Sequence, residues 1–163
     1  MSEQPAQRDT ACPIGRAVDV IGDRWTLLIL RHATVGFTRF EEFRTELGIA
    51  DNILSNRLAR LVDNGLLAKV PYRDERRTRH MYRLTRAGAD LVPVLHALAA
   101  WGQDHTRPAI PTKPMRVLHS VCGQDLSAGE FCAHCDRTVS RDEVLWLRPW
   151  RSGSPQPLAA PVS

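Results

Sequence analysis

The sequence predicts an α+β chain, mainly helical with one small β wing, followed by a compact metal-stapled segment. Three observations carry that prediction. Apolar residues recur at helical spacing through the first hundred positions; two strand-like runs, LLAKVPY and RHMYRLT, flank the charged RDERRT; and the stretch His119 to Cys135 holds three of the four cysteines.

The 163 residues, 43% of them hydrophobic, suit one ordinary domain with a core of its own plus an appendage. No apolar run approaches the roughly 20 residues of a membrane span, and the polar opening MSEQPAQRDT lacks a signal-peptide pattern, so the expected compartment is the cytoplasm. Thiols stay reduced there, which points the cysteines toward metal ligation or thiol reactivity before disulfides. A net charge of +4 favours an anionic partner. Residues 1–11 read as a flexible tail and 12–106 as the main domain. The prolines of RPAIPTKP make 107–114 a linker, 115–150 a Cys/His-bearing extension, and 151–163, rich in Pro, Ser and small residues, a disordered tail.

Within the main domain, Asp23 can cap a helix carrying Trp25, Leu28, Ile29 and His32. Thr38-Arg39-Phe40-Glu41 has capping-box spacing and starts a second helix, with Phe40, Phe43 and Leu47 on one face and Gly48 as its stop. A third begins at Asp51; Leu54, Leu58, Leu61 and Val62 form its apolar stripe and Gly65 ends it. Two helices across a tight Gly-containing turn form a helix-turn-helix, and the following hairpin forms a wing. Thr85 then caps a long helix bearing Leu91, Val94, Leu95, Leu98 and Trp101, in which Pro93 predicts a kink.

On the third helix Asn52, Ser55, Asn56 and Arg60 lie away from the leucine stripe, suited to reading base edges of double-stranded DNA: Asn pairs bidentately with adenine, Arg with guanine. The wing adds Arg73, Arg76, Arg77 and Arg79 against Asp74 and Glu75, a charge pattern fit for phosphates or a minor groove.

The ordered set Cys12-Pro13, IGDRWTLLIL, RFEEF, LSNRLARLVDNGLL, Arg79, YRLT, Gly88 and Trp101 resembles the HxlR family of bacterial winged-helix transcriptional regulators, over Cys12 to about Trp101. The wing departs from the family pattern: Arg77, His80 and Met81 stand where such proteins carry Pro, Val and Glu. The resemblance implies a sequence-specific, non-enzymatic regulator that binds two-fold-related half-sites as a homodimer, with an oxidant or small molecule as effector. The stripe from Leu91 to Trp101 and a second face of Ile14, Val18 and Ile21 are candidate dimer surfaces; the alternative is that both stripes are monomer core, where Trp25 and Trp101 also belong. In some relatives a cysteine at the position of Cys12 senses oxidants. Pro13 suits a first helical position, so Cys12 would sit at a helix N-terminus that favours thiolate, although a lone thiol is often inert.

His119, Cys122, Cys132 and Cys135 form H-x2-C and C-x2-C pairs, the spacing of a structural zinc-ribbon-like site for Zn2+, and Gly123 lets the backbone turn just after a ligand. His134 is the rival fourth ligand, and a Cys132–Cys135 disulfide is the metal-free alternative. Four protein ligands would close the site, which weighs against a zinc enzyme with Glu130 as its base. The other competing class is a protein-interaction module, in which the extension recruits a partner and DNA binding is secondary.

Overall fold

The computed structural model describes residues 12–74, 77–126 and 130–162. The N-terminal tail expected at 1–11 and Arg76 of the wing lie outside them. Four helices come first: α1 (Pro13–Ile21), α2 (Arg24–Thr34), α3 (Phe40–Leu47) and α4 (Asp51–Asp63). The wing is an antiparallel hairpin of β1 (Leu67–Asp74) and β2 (Arg77–Leu84). A short α5 (Arg86–Ala89) leads to α6 (Val92–His105), and the extension adds β3 (Arg116–His119), β4 (Phe131–Cys132), β5 (Arg137–Thr138), β6 (Val144–Leu147) and β7 (Gln156–Pro157). Among the described residues no helix is long and apolar enough to cross a membrane.

Local chemistry accounts for most boundaries. Pro13 opens α1, where its missing N–H costs nothing. Asp23 caps α2, accepting from the Trp25 and Thr26 amides at 3.1 Å each. Burial pushes its carboxyl up, but the Thr26 hydroxyl and amide and the Arg57 guanidinium outweigh that and hold it below the ordinary value. Gly48 and Gly65 sit at φ 58° and 70°, the left-handed positions that end α3 and α4.

Three expectations change at this level. The carboxylate that closes the α3 cap is Glu42, not Glu41: it accepts from the Thr38 and Arg39 amides at 2.9 and 2.8 Å, because Arg39 rather than Thr38 is the last residue before the helix. The wing strands run further into the charged stretch than its composition suggests, pairing out to Asp74 and Arg77. Pro93 marks a break rather than a kink. Thr85 caps only α5, through the Gly88 amide at 3.1 Å, and α6 restarts with Pro93 in its first turn, where its lack of an N–H is harmless. Gly88 is required for a different reason: a Cβ there would lie 2.1 Å from the Leu66 carbonyl oxygen.

One core joins Ile29 and Leu30 of α2, Phe43 of α3, Leu54, Leu58 and Leu61 of α4, and Leu67 and Leu84 at the base of the wing. A second forms under the extension: Val144 and Trp146 of β6, Cys132, Val139, Leu126 and Leu158 pack on Val92 of α6, with Val35 and Leu95 alongside. β3, β6 and β7 make its sheet, and β4 and β5 a small separate hairpin. Residues 107–114 have no regular structure and are exposed.

The segment expected to be a disordered tail is docked along its described length. Gln156 pairs with Trp146 in the sheet, Leu158 is buried, and the Ala159 and Val162 amides donate to the carbonyls of Thr34 and Leu84, each at 2.8 Å. Composition argued for disorder because Pro and Ser carry little apolar area. It is held by Leu158, by backbone hydrogen bonds to the carbonyls at the ends of α2 and β2, and by side-chain donors, Arg141 to the Ala159 carbonyl at 3.0 Å and Arg148 to Gln156 Oε1 at 2.5 Å.

Candidate nucleic-acid interface and metal centre

The helix-turn-helix is α3 and α4. Leu54, Leu58 and Leu61 point wholly into the core, so the opposite face of α4 is presented outward, with Asn52, Ser55 and Asn56 exposed along its N-terminal half. Arg60, also exposed, sits a full turn later and donates to the Asp19 carbonyl of α1 at 3.4 Å, apart from the other three. Arg57 leans back to Asp23 at 3.2 Å, joining α4 to the cap of α2.

Strand register sorts the wing arginines. Asp74 pairs with Arg77 and Tyr72 with Arg79, so these share one face, whereas Arg73, opposite Thr78, lies on the other. Arg79 is tied to Asp74 at 3.1 Å. Two exposed arginines absent from the sequence-based set join the Arg77 face. Arg83 lies on it by strand alternation, and Arg39 stacks over the Tyr72 ring at 5.4 Å because the segment before α3 bridges to β2, the Tyr82 amide donating to the Thr38 carbonyl at 2.7 Å. Arg39 was legible only as part of a cap; its place beside the wing depends on a pairing some forty residues away in sequence.

The Cys/His residues converge. The Sγ atoms of Cys122, Cys132 and Cys135 and a ring nitrogen of His119 all lie within 4.8 Å of one another. His119 Nδ1 is 3.3 Å from Cys122 Sγ and 3.5 Å from Cys135 Sγ, and Cys122 Sγ is 3.6 Å from Cys132 Sγ. Each pair spans a tight turn followed by a left-handed residue: Gly123 at φ 70°, whose amide donates to the His119 carbonyl at 2.7 Å, and Asp136 at φ 51°. His119 and Cys132 are completely buried. His134 is exposed and stands outside the group, and none of the four cysteines forms a disulfide.

Behind the histidine, Nε2 faces Arg137 at 3.2 Å and the Glu143 carboxylate at 3.7 Å. Arg137 grips that carboxylate with two hydrogen bonds of 2.9 and 2.6 Å and, with the Ser140 amide, holds it well below the usual carboxylate range. The Cys135 amide pulls the Cys132 thiol down to about 6, while burial and the two neighbouring thiols push Cys135 up to about 11. The negative charge therefore settles on Cys132 and opposes ionisation of Cys135, an opposition that a bound cation would relieve.

Cys12 is half-buried at the N-terminal boundary of α1, its carbonyl accepting from the Arg16 amide at 3.0 Å. Both candidate association faces are in large part uncovered: Ile14 is 73% exposed, Val18 58% and Trp101 60%, with Val94 and Leu98 beside it. The α6 stripe is therefore split. Leu91 and Leu95 pack inward, whereas Trp101, expected in the core, projects from it.

Comparison with known proteins agrees with this architecture. Residues 20–120, more than half of the chain, match the family model described as HxlR-like helix-turn-helix. The HTH-type transcriptional regulator Rv3095 of Mycobacterium tuberculosis is 41% identical over 132 residues, 80% of this chain and 82% of its own. Among solved structures, PA1607, described as a candidate transcription factor, superposes with a TM-score of 0.66 at 34% identity, covering 91% of this chain and all of its own. The redox regulator HypR in its oxidised form gives 0.55 at 28% identity, over 60% of this chain and all of its own. With an outward-facing second helix, a basic wing and these relatives, the chain belongs to the HxlR-like helix-turn-helix family of transcriptional regulators.

Proposed function

We propose that this regulator binds double-stranded DNA as a homodimer without catalysing a reaction, reading bases with α4 and gripping phosphates with the wing. The observation that carries the reading is the split character of α4, whose leucine face is fully buried while Asn52, Ser55 and Asn56 are exposed with no core to contact. A dimer through α1 and α6 would cover Ile14, Val18, Val94, Leu98 and Trp101, and recognition helices about 34–36 Å apart would meet successive major grooves. Arg60, Arg73, Arg76, Arg77 and Arg79 serve as phosphate or base contacts in this scheme. The compartment that follows from such work is the bacterial cytoplasm, on the nucleoid.

Zinc is the metal we assign to His119, Cys122, Cys132 and Cys135. A tetrahedral ion with Zn–S near 2.3 Å and Zn–N near 2.0–2.1 Å requires ligand–ligand edges of about 3.5–3.8 Å; three of the six edges, at 3.3, 3.5 and 3.6 Å, are close to that, and all six lie within 4.8 Å. Beside Nε2 stand the Arg137 guanidinium at 3.2 Å and the Glu143 carboxylate at 3.7 Å, and with Nδ1 on the metal the carboxylate is the one of the two that could accept the Nε2 proton after a small approach. Four protein ligands leave no open position, so the ion's role is structural. Cys12 is the proposed oxidant-responsive residue, on the likeness to the redox regulator HypR and on its place at the start of α1.

A gel-shift titration tests the DNA reading. Asn56→Ala is expected to weaken cognate DNA by about 1–3 kcal/mol while leaving scrambled DNA nearly unchanged, and Arg77→Ala to lower the salt slope by about one for both. Equal loss on both duplexes in Asn56→Ala would remove α4 as the reading element. Light scattering that finds a monomer with and without DNA would remove the dimer.

A further inference from the structure

We propose that Arg31 of α2 together with Arg148 and Arg151 of the extension forms a binding site for a small phosphate group, seated between the winged-helix body and the extension. This inference stands apart from the DNA reading and uses none of its residues. It begins with Arg148, a cation only 1% exposed. Its Nη2 donates to Gln156 Oε1 at 2.5 Å, whereas Nε and Nη1 are buried with no hydrogen-bond partner among the described residues, as is Nε of Arg31. A guanidinium has donors only and stays charged, so three unmet donors in a buried place call for an oxyanion.

The neighbourhood compensates that charge only in part, because Glu46 favours the charged forms of Arg31 and Arg148 but is one carboxylate against three guanidinium groups. Arg31, Arg148 and Arg151 act on one another as like charges, and Glu46, the carboxylate among them, is already held in an ion pair by Arg151. Burial, reinforced by Arg151 and Arg31, brings Arg148 down to about 10, the direction expected of a cation short of counter-charge.

Choice of a phosphate over a carboxylate rests on His32, a fully buried side chain of α2 whose ring lies against the Arg31 guanidinium and in the field of the same three arginines. Its Nδ1 donates to the Leu28 carbonyl at 2.9 Å, so Arg31 Nη2, 3.4 Å from that nitrogen, finds no acceptor in it, and buried Nε2 is left an acceptor without a partner among the described residues. A phosphate that keeps one proton supplies oxygens for the guanidinium groups and a hydroxyl for Nε2. An ionised carboxylate supplies only the first. A phosphate group bridging Arg31 and Arg148 joins α2, which packs on α4, to the segment that carries the metal ligands.

Isothermal titration of the full-length, metal-loaded protein with inorganic phosphate tests the site, against sodium chloride at equal ionic strength and against acetate. The expected result is one saturable site for phosphate, bound at least tenfold more tightly than acetate and weakened tenfold or more in Arg31→Gln. Arg148→Met is expected to melt higher than the parent in phosphate-free buffer and to lose the phosphate-induced rise in melting temperature. Should Arg148→Met fail to fold, Arg31→Gln decides, because Arg31 is only half-buried. A phosphate response no larger than that to chloride overturns the site, acetate binding as tight as phosphate overturns its assignment to a phosphate group, and binding that survives Arg31→Gln at full strength places the anion elsewhere.

Discussion

The winged-helix body and the C-terminal extension reach order by different means. The body buries an aliphatic core assembled from regularly spaced leucines on α4 and their partners on α2 and α3. The extension has short strands, few large apolar side chains and a Cys/His group at its centre, and its cluster is completed by Val35, Val92 and Leu95 of the body. Its hydrogen bonds to the body repeat the pattern: Trp146 Nε1 donates to His96 Nε2 at 2.7 Å, and Arg141 Nη1 to the Ala89 carbonyl at 3.0 Å. A segment this small cannot bury enough surface to fold by itself. The difference teaches that the body carries a core of its own, whereas the extension completes its core on the body and, with zinc bound as proposed, on a ligand cluster.

Removing the proposed zinc is the strongest way to break that comparison. Chelation, or Cys132→Ser, is expected to abolish amide protection across β3 to β7 while α2 and α4 stay protected in hydrogen exchange, since a structural zinc contributes roughly 10–16 kcal/mol of apparent binding free energy to such segments. Protection unchanged in the extension would mean that docking alone orders it. In the reverse direction, Phe43→Ala, emptying a fully buried site of the body, is expected to cost about 3–5 kcal/mol in denaturant unfolding. The extension should lose its Trp146 fluorescence signature in the same transition, and a surviving folded extension would refute its dependence on the body.

Acid sharpens the contrast, because each core contains a buried histidine. Burial holds His32 in the body and His96 at the seat of the extension down to about 4, against 6.5 for a solvated imidazole. Between those values the unfolded chain binds protons that the folded chain refuses. Stability is therefore complete above about pH 6.5 and falls as pH drops toward 4, by up to about 3 kcal/mol per histidine. His96→Gln, which keeps an acceptor for Trp146 without titrating, is expected to reduce the acid sensitivity of the extension and leave that of the body; equal acid limbs in variant and parent would show that His96 is not its source. The smallest effect belongs to Trp146→Phe, which keeps most of the apolar ring but leaves the His96 acceptor unpaired. A loss of about 1–3 kcal/mol in the unfolding of the extension is expected, and no loss would mean that the bond adds nothing to the seat.

Some parts of the molecule were written in short stretches of chain. The Asp23 cap, the stop at Gly48, the leucine stripe of α4 and the outward row of Asn52, Ser55 and Asn56 each depend on residues within a turn or two, so the spacing that creates them can be read directly. The ligand set was legible for the same reason: each x2 pair closes on itself, and only the meeting of the two pairs requires the fold.

What the sequence by itself determined, then, was the order of elements in the body as far as the wing, the composition of its core and the four residues that gather as a candidate metal site. Tertiary structure alone decided that Pro93 begins a helix instead of bending one, that strand register separates Arg73 from Arg77 and Arg79, that residues 156–162 lie against the body, and that Arg148 is buried beside Arg31. The physical reason is range. Caps and stripes arise from side chains a few residues apart, whereas a backbone amide of Ala159 bonded to the Thr34 carbonyl, or a charge enclosed by residues more than a hundred positions away, involves groups that local spacing and composition do not encode.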